Sequence, residues 1–340
     1  MEKMRNSVFI LLLIFGLISC KKESSTGFTV SNNLQINDTT WSNSSSNQTL
    51  VKSITNDLSI APLVVNTSFT SSGIEDDKDI FNSDNFRLSV SKNSLFNPIT
   101  NKTIIAGKLT INLLALNTNG DFIRNYSSSF INNQQYQSIG FYNLNFYAND
   151  TLLSVKQGNN IHLYVKDSLA NNSILHNINV FQSSDNDITD YNFMWYNDSS
   201  ASHNLSLWNV QGTNNHKGYD VSIAKSGWVS LLLPGNGQII NNTKISVYLP
   251  VNFTNKNTLV YAVKAGSKNV ARLNADFISR TFSLSNIPYN QNITLVTISK
   301  IDHKYYLGTV TSNYSSHQDI FNVVPQQVTI ANIIDYLNTL

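Results

Sequence analysis

The side chain with the most chemistry to offer is Cys20, the single cysteine of a 340-residue chain. Its thiolate is a strong nucleophile toward an acyl or alkyl donor, and no second cysteine exists to claim it as a disulfide. The other reactive side chains are scattered. His162, His176, His203, His216, His303 and His317 stand in no His-Glu-x-x-His or comparable ligand spacing. There is no Gly-x-Ser-x-Gly nucleophile turn and no phosphate-cradling glycine loop. Carboxylates cluster at Glu75-Asp76-Asp77-Lys78-Asp79 and at Asp185-Asn186-Asp187-Ile188-Thr189-Asp190. Calcium takes roughly six to eight oxygens, and the second cluster lacks the glycine and the distal glutamate of a calcium loop. Both clusters read as solvated acidic turns, so neither a metal nor another cofactor is expected. Trp195, Trp208 and Trp228 share one window of sequence. Their rings suit two uses, a stacking face for sugars or filling between β-sheets.

The surroundings of Cys20 decide what its thiol is for. A basic start (Lys3, Arg5) precedes an apolar run from Val8 to Leu17. At about ten residues this run is too short to cross a bilayer, which takes roughly 20. It suits the central region of a secretory signal, about 7–15 residues long. Leu17-Ile18-Ser19-Cys20 resembles the lipobox of bacterial lipoproteins. That resemblance implies removal of residues 1–19, acylation of Cys20 and membrane attachment through the acyl chains. Each buried CH₂ adds about 0.8 kcal/mol, and stable anchoring takes more than one chain. Lys21 stands where an Asp would favour inner-membrane retention. Lys22-Glu23 resembles the lysine-plus-acid export signal of lipoproteins of the Bacteroidota. The expected location is the outer membrane, with the folded part facing the cell exterior or, alternatively, the periplasm.

Composition bounds the rest. Hydrophobic residues make up 41%, enough for cores, while charged residues make up 13% and the formal net charge is +2. Without a basic stripe there is no footprint for nucleic acid. Asn, Ser and Thr carry the polar balance and compete with the helical backbone, which favours strands and turns. Residues 20–57 read as a flexible, low-complexity tether with Trp41 an isolated aromatic in it. Alternation then marks strands at Phe86–Val90, 108–113, 142–146 and 161–165, punctuated by Asn119-Gly120-Asp121, Asn149-Asp150 and Gly158-Asn159-Asn160. This spacing predicts an antiparallel β-sandwich over 58–230. After Pro234-Gly235-Asn236-Gly237, further strands at 245–249, 259–263, 270–273, 281–284, 293–298 and 305–310 predict a second sandwich over 238–340. Ile330, Ile333, Ile334 and Leu337 repeat at helical spacing after Thr329, predicting a short terminal helix. The fold class expected is all-β, two sandwiches of immunoglobulin or transthyretin-like type.

Gly107-Lys108-Leu109-Thr110-Ile111-Asn112-Leu113, Gly140-Phe141-Tyr142 and Gly158-Asn159-Asn160-Ile161-His162-Leu163 together resemble the glycine-marked strands of a family of Bacteroidota surface lipoproteins. Trp195-Tyr196, Trp208, Tyr219-Asp220-Val221 and Gly227-Trp228 are similar to that family's tryptophan-rich segment, which spans 193–228 here. Val229-Ser230-Leu231 replaces the family's Asn-Cys-Asp, so no role of that triplet carries over. Phe282-Ser283-Leu284-Ser285-Asn286-Ile287-Pro288, followed by Ile293-Thr294-Leu295-Val296, resembles the strand–proline-turn–strand step of carboxypeptidase-regulatory and transthyretin-like domains. There the second strand runs back antiparallel.

These readings lead to a non-catalytic surface lipoprotein, held at the membrane by Cys20 and acting as a structural or adhesive module toward surface proteins. The alternative is a glycan-binding lipoprotein of a polysaccharide-uptake system, with Trp195, Trp208 and Trp228 as its platform.

Overall fold

In strand Thr258–Lys264 the alternating side chains are apolar on both sides. Leu259, Tyr261 and Val263 join one core while Val260 and Ala262 join another. A strand of this kind needs cover on both faces, and the architecture supplies it by stacking four sheets. The computed structural model describes residues 39–43 and 48–340, apart from 70–77, 83–85, 92, 106, 133, 157–160, 184, 186, 190–192, 210–215, 236–242, 289 and 316–317. Residues 1–19, Cys20, the first acidic cluster as far as Asp77, Asp190 and His317 lie outside the described residues.

Sheet I runs in the order Ser206–Asn209, His216–Ile223, Ile161–Lys166, Phe86–Val90, Lys78–Asn82. Sheet II, with eight strands, follows the path Leu63–Phe69, Gly107–Leu116, Gln134–Ala148, Gly227–Pro234, Asn179–Ser183, Tyr196–Asn197; Phe130–Ile131 and Thr151–Leu152 also pair with its long central strand. Sheet III is Val270–Arg272, Thr258–Lys264, Gln291–Ile301, Lys304–Tyr314, Gln326–Val328, and sheet IV is Asn274–Asp276, Thr281–Ser285, Lys244–Tyr248, Gln318–Asn322. A small three-stranded sheet (Ser154–Val155, Leu95–Asn97, Lys102–Thr103) flanks the first pair. The expected all-β class and the terminal helix are both present. Among the described residues the pairings are antiparallel, except that Gln318–Asn322 runs parallel to Lys244–Tyr248.

Three cores separate the four sheets. Between I and II lie Leu88, Leu163 and Val221 against Ile111, Leu144 and Val229. Between III and IV lie Val260 and Leu295 against Ile245, Val247 and Phe282. The middle core joins sheet II (Phe141, Phe181, Trp228) to sheet III (Tyr261, Val296, Ile298). Helices fill that middle layer. Of α1 (Gln48–Leu58), α2 (Asn119–Arg124), α3 (Asn172–Leu175), α4 (Ser199–His203) and α5 (Ile330–Leu337), it is α1, α2 and α5 that contribute, through Ile54, Leu58, Phe122, Ile123, Ile333 and Leu337. Both later helices start from side-chain caps. Thr118 Oγ1 accepts from Asp121 N at 3.1 Å while Asp121 Oδ2 accepts from Thr118 N at 2.9 Å; Thr329 and Asn332 repeat the arrangement on α5.

Two expectations need correction. The tether does not extend to residue 57. The chain already docks at Thr40–Ser42, where Ser42 N donates to Asn255 Oδ1 (2.8 Å), Asn255 Nδ2 donates to Ser42 O (2.9 Å) and the Trp41 ring meets Phe282 at 5.1 Å. It then forms α1, whose Ile54 and Leu58 are fully buried. The reason is spacing: two apolar residues four apart share a helix face that a polar composition conceals. The proline step at 285–291 also differs from a simple return. Thr281–Ser285 belongs to sheet IV and Gln291–Ile301 to sheet III, so the turn arches between layers, with Asn286 and Asn290 at positive φ.

Candidate functional site

The three tryptophans do not share a surface. Trp228 is buried, carried into the middle core by its strand in sheet II. Trp195, half-buried just before strand Tyr196–Asn197, meets Trp228 at 6.4 Å, Phe141 at 5.5 Å and Phe193 at 5.2 Å, each roughly edge-on. This pair therefore works as packing. Trp208 stands apart on the edge strand of sheet I, 5.5 Å from Tyr164.

The solvent side of sheet I carries a row of aromatic and charged groups across neighbouring strands. Pairing sets Tyr164 opposite Arg87 on one side and Asp220 on the other. The Arg87 guanidinium lies over the Tyr164 ring at 4.3 Å, and Lys217 Nζ lies 5.6 Å from the Trp208 ring. His162 Nδ1 is 2.9 Å from Asp220 Oδ1, and its ring stacks beside Tyr164 at 6.0 Å. Arg87 lies over one face of Tyr164 and Lys217 approaches Trp208, so the row pairs cations with rings across the strands. A flat stacking platform for a sugar needs an open face instead.

Concave space lies elsewhere. A cleft of about 850 Å³ opens along the seam between the two sandwiches. Its walls come from the start of strand Gln134–Ala148, the end of Gly227–Pro234, α3, and the hairpin turn Gly266-Ser267-Lys268, where Gly266 takes a positive φ. Asn119 Nδ2 donates to Ser267 O at 3.0 Å and Ser138 N donates to Lys268 O at 2.8 Å, tying this turn of the carboxy-terminal sandwich to the amino-terminal part of the chain. Asn119 Oδ1, Ser138 Oγ and Ser267 Oγ are buried without a hydrogen-bond partner. Lys166, Asp167 and Lys268 also line the cleft. A cleft of this size, with ammonium and carboxylate groups on its walls, suits a polar molecule. The sequence gives little sign of it, because its walls come from segments scattered between Asn119 and Leu340.

Several of the described acids are committed to structure. Asp187 pairs with Lys52 at 2.9 Å and accepts from Thr189 N at 3.0 Å. Burial raises its carboxyl pKa, but the bonds to Thr189 and Lys52 outweigh that and hold it below the usual range. Asp187, beside the turn at Ile188-Thr189, thus clips α1 through Lys52. Asp57 receives Lys300 Nζ at 2.5 Å and is also bonded by the Tyr305 hydroxyl, while Lys300 reaches Ser53 Oγ at 2.7 Å. His303 lies with Asp302 at positive φ in the two-residue turn between Gln291–Ile301 and Lys304–Tyr314, and His176 occupies the C-cap position of α3, where its backbone N–H donates to Ile174 O. Among the described residues no three His, Cys, Asp or Glu side chains group as a metal site. Among the same residues no helix is long and apolar enough to cross a membrane.

A scan against protein-family models finds no match for the chain, and a search of curated proteins finds none either.

Proposed function

We propose that this chain is a lipid-anchored surface module of the outer membrane, held by Cys20 and acting through its folded mass as a structural or adhesive element. The observation that carries the reading is the path of the amino-terminal segment. From Thr40 to Leu58 it is bonded to both sandwiches, through Asn255, Lys256, Lys300, Arg124 and Asp187. A pull on the amino terminus is therefore passed directly to the stacked body, as a load-bearing or presenting module requires. The non-catalytic part of the proposal is supported by the use of ionisable groups as clips and caps: Asp57 on Lys300, Asp187 on Lys52, Asp121 on Thr118 and His162 on Asp220.

The test is metabolic labelling with an alkyne fatty acid in wild type and Cys20→Ser, combined with protease shaving of whole cells. Label on the wild type alone, with loss of the folded body on shaving, is the expected result. Equal labelling of both proteins, or label on neither, overturns the anchor. Labelled protein that resists shaving moves the module to the periplasmic face.

The seam cleft favours one second reading, capture of a glycan there instead of on the tryptophans. A glycan array that responds to wild type and not to Lys268→Glu supports it; an array silent to both disposes of it.

A further inference from the structure

Strand register brings several apolar loop residues to one end of the carboxy-terminal sandwich. Val247 pairs with Phe282 and Tyr248 with Asn322, so the end of Lys244–Tyr248, the start of Thr281–Ser285 and the end of Gln318–Asn322 coincide. The loops leaving these three points expose Val251 (77%), Ile278 (92%) and Val324 (62%), with Phe277 and Tyr248 also exposed. An isolated exposed apolar residue is ordinary, but five gathered at one end of a sheet mark an interaction surface. The amino-terminal segment joins the body at the same end. Trp41 packs on Phe282, Ser42 is bonded twice to Asn255, and Lys256 Nζ donates to Thr40 Oγ1 at 2.7 Å.

We propose that this end, with Ile278 and Phe277 at its tip, rests in the interfacial zone of the lipid bilayer. The inference relies on the anchor at Cys20. About twenty residues separate Cys20 from Thr40, a span of at most about 70 Å in any conformation. The point where that span meets the body therefore lies within that distance of the anchor. Lys256 and Arg280 flank the apolar residues and suit anionic headgroups, whose attraction adds to that of the buried apolar area. Asp276, the acid on the same turn, is engaged by Ser279 N at 3.1 Å and by Lys244 at 3.4 Å.

Because Cys20 is the single cysteine and the proposal has its thiol acylated, an introduced cysteine can be labelled alone. Full-length lipidated Ile278→Cys and Ile99→Cys, each carrying an environment-sensitive fluorophore, are reconstituted into phosphatidylethanolamine–phosphatidylglycerol vesicles containing a shallow nitroxide-labelled lipid. Ile99 is exposed on a turn of the amino-terminal sandwich and serves as the distant site. The expected result is several-fold stronger quenching at position 278 than at 99. Intact mass of the same samples reports acylation of Cys20. Acylated protein with equal quenching at the two sites overturns the bilayer contact and leaves the anchor standing. Protein without acyl mass that stays off the vesicles overturns the anchor, and the contact with it.

Discussion

The carbonyl oxygen of Leu337 lies 1.9 Å from where a β-carbon on Gly120 would sit. Glycine is what lets α2 and α5 touch backbone to backbone inside the middle core. Gly120→Ala has no flexible side chain to displace, so one helix must shift. The expected cost is about 1–3 kcal/mol, the usual range for overpacking, read as a lower urea midpoint. An unchanged midpoint would show that the helices are not packed this closely.

Ile54 tests whether α1 belongs to the folded body. Its side chain is fully buried among Leu58, Phe122 and the strands of sheet III. Ile54→Ala should lower stability by about 2–5 kcal/mol, while exposed Asn56→Ala should stay within about 0.5 kcal/mol. Equal, negligible effects would return this stretch to a tether.

The clip between Asp57 and Lys300 makes the docking of α1 depend on pH. Burial opposes the charge on Asp57, but the bonds from Lys300 and Tyr305 and the Lys300 charge prevail, so the carboxyl pKa falls below 3.8. Burial likewise opposes the charge on Lys300, and Asp57 and Tyr305 prevail in raising its pKa above 10.5. A depressed acid contributes stability above its unfolded pKa and loses it as pH falls through the folded one; a raised lysine loses its contribution as pH climbs past its folded pKa. The protection factors of the α1 amides, exchange rates corrected for the intrinsic pH dependence, should therefore hold from about pH 4 to about pH 10 and fall beyond either end. In Lys300→Met the acid step should shrink, and an acid step of full size in that variant would assign it to other groups.

Tyr261 carries a cost that can be removed. Its ring is fully buried in the middle core and its hydroxyl has no hydrogen-bond partner. A buried unpaired polar group costs about 1–3 kcal/mol, so Tyr261→Phe should raise stability by about 1 kcal/mol. Lower stability in that variant would mean the hydroxyl is bonded, for instance through a buried water.

The strands were legible where alternation was strict. Phe86–Val90, Ile161–Lys166 and Thr281–Ser285 match the apolar–polar pattern to within a residue, and Thr329 marks the start of α5 as its cap. The middle layer was not legible. Asn119-Gly120-Asp121 reads as a turn from composition, yet Thr118 and Asp121 form a capping box, and the same residues open α2. In α1, Asn, Ser and Thr dilute a signal carried by a few apolar residues, and what holds the helix is packing against strands some two hundred residues later. Propensity is local and cannot register such a partner. The tryptophans were ambiguous for a related reason. A ring beside a sheet suits packing or display equally well until the neighbouring layer is known, and sheet III was the missing layer for Trp228 and Trp195.

The core shared by α1, α2 and α5 also sets an order of assembly. The earliest docked stretch, Thr40 to Leu58, finds its seats on residues made last: Asn255, Lys300, Tyr305 and Ile333. A chain emerging amino end first can seat that stretch only in part, through Arg124 and Asp187, until those later residues appear. Closure of the central layer thus waits on the late strands and α5, and a variant without α5 would leave the leading segment less firmly seated and more open to proteases.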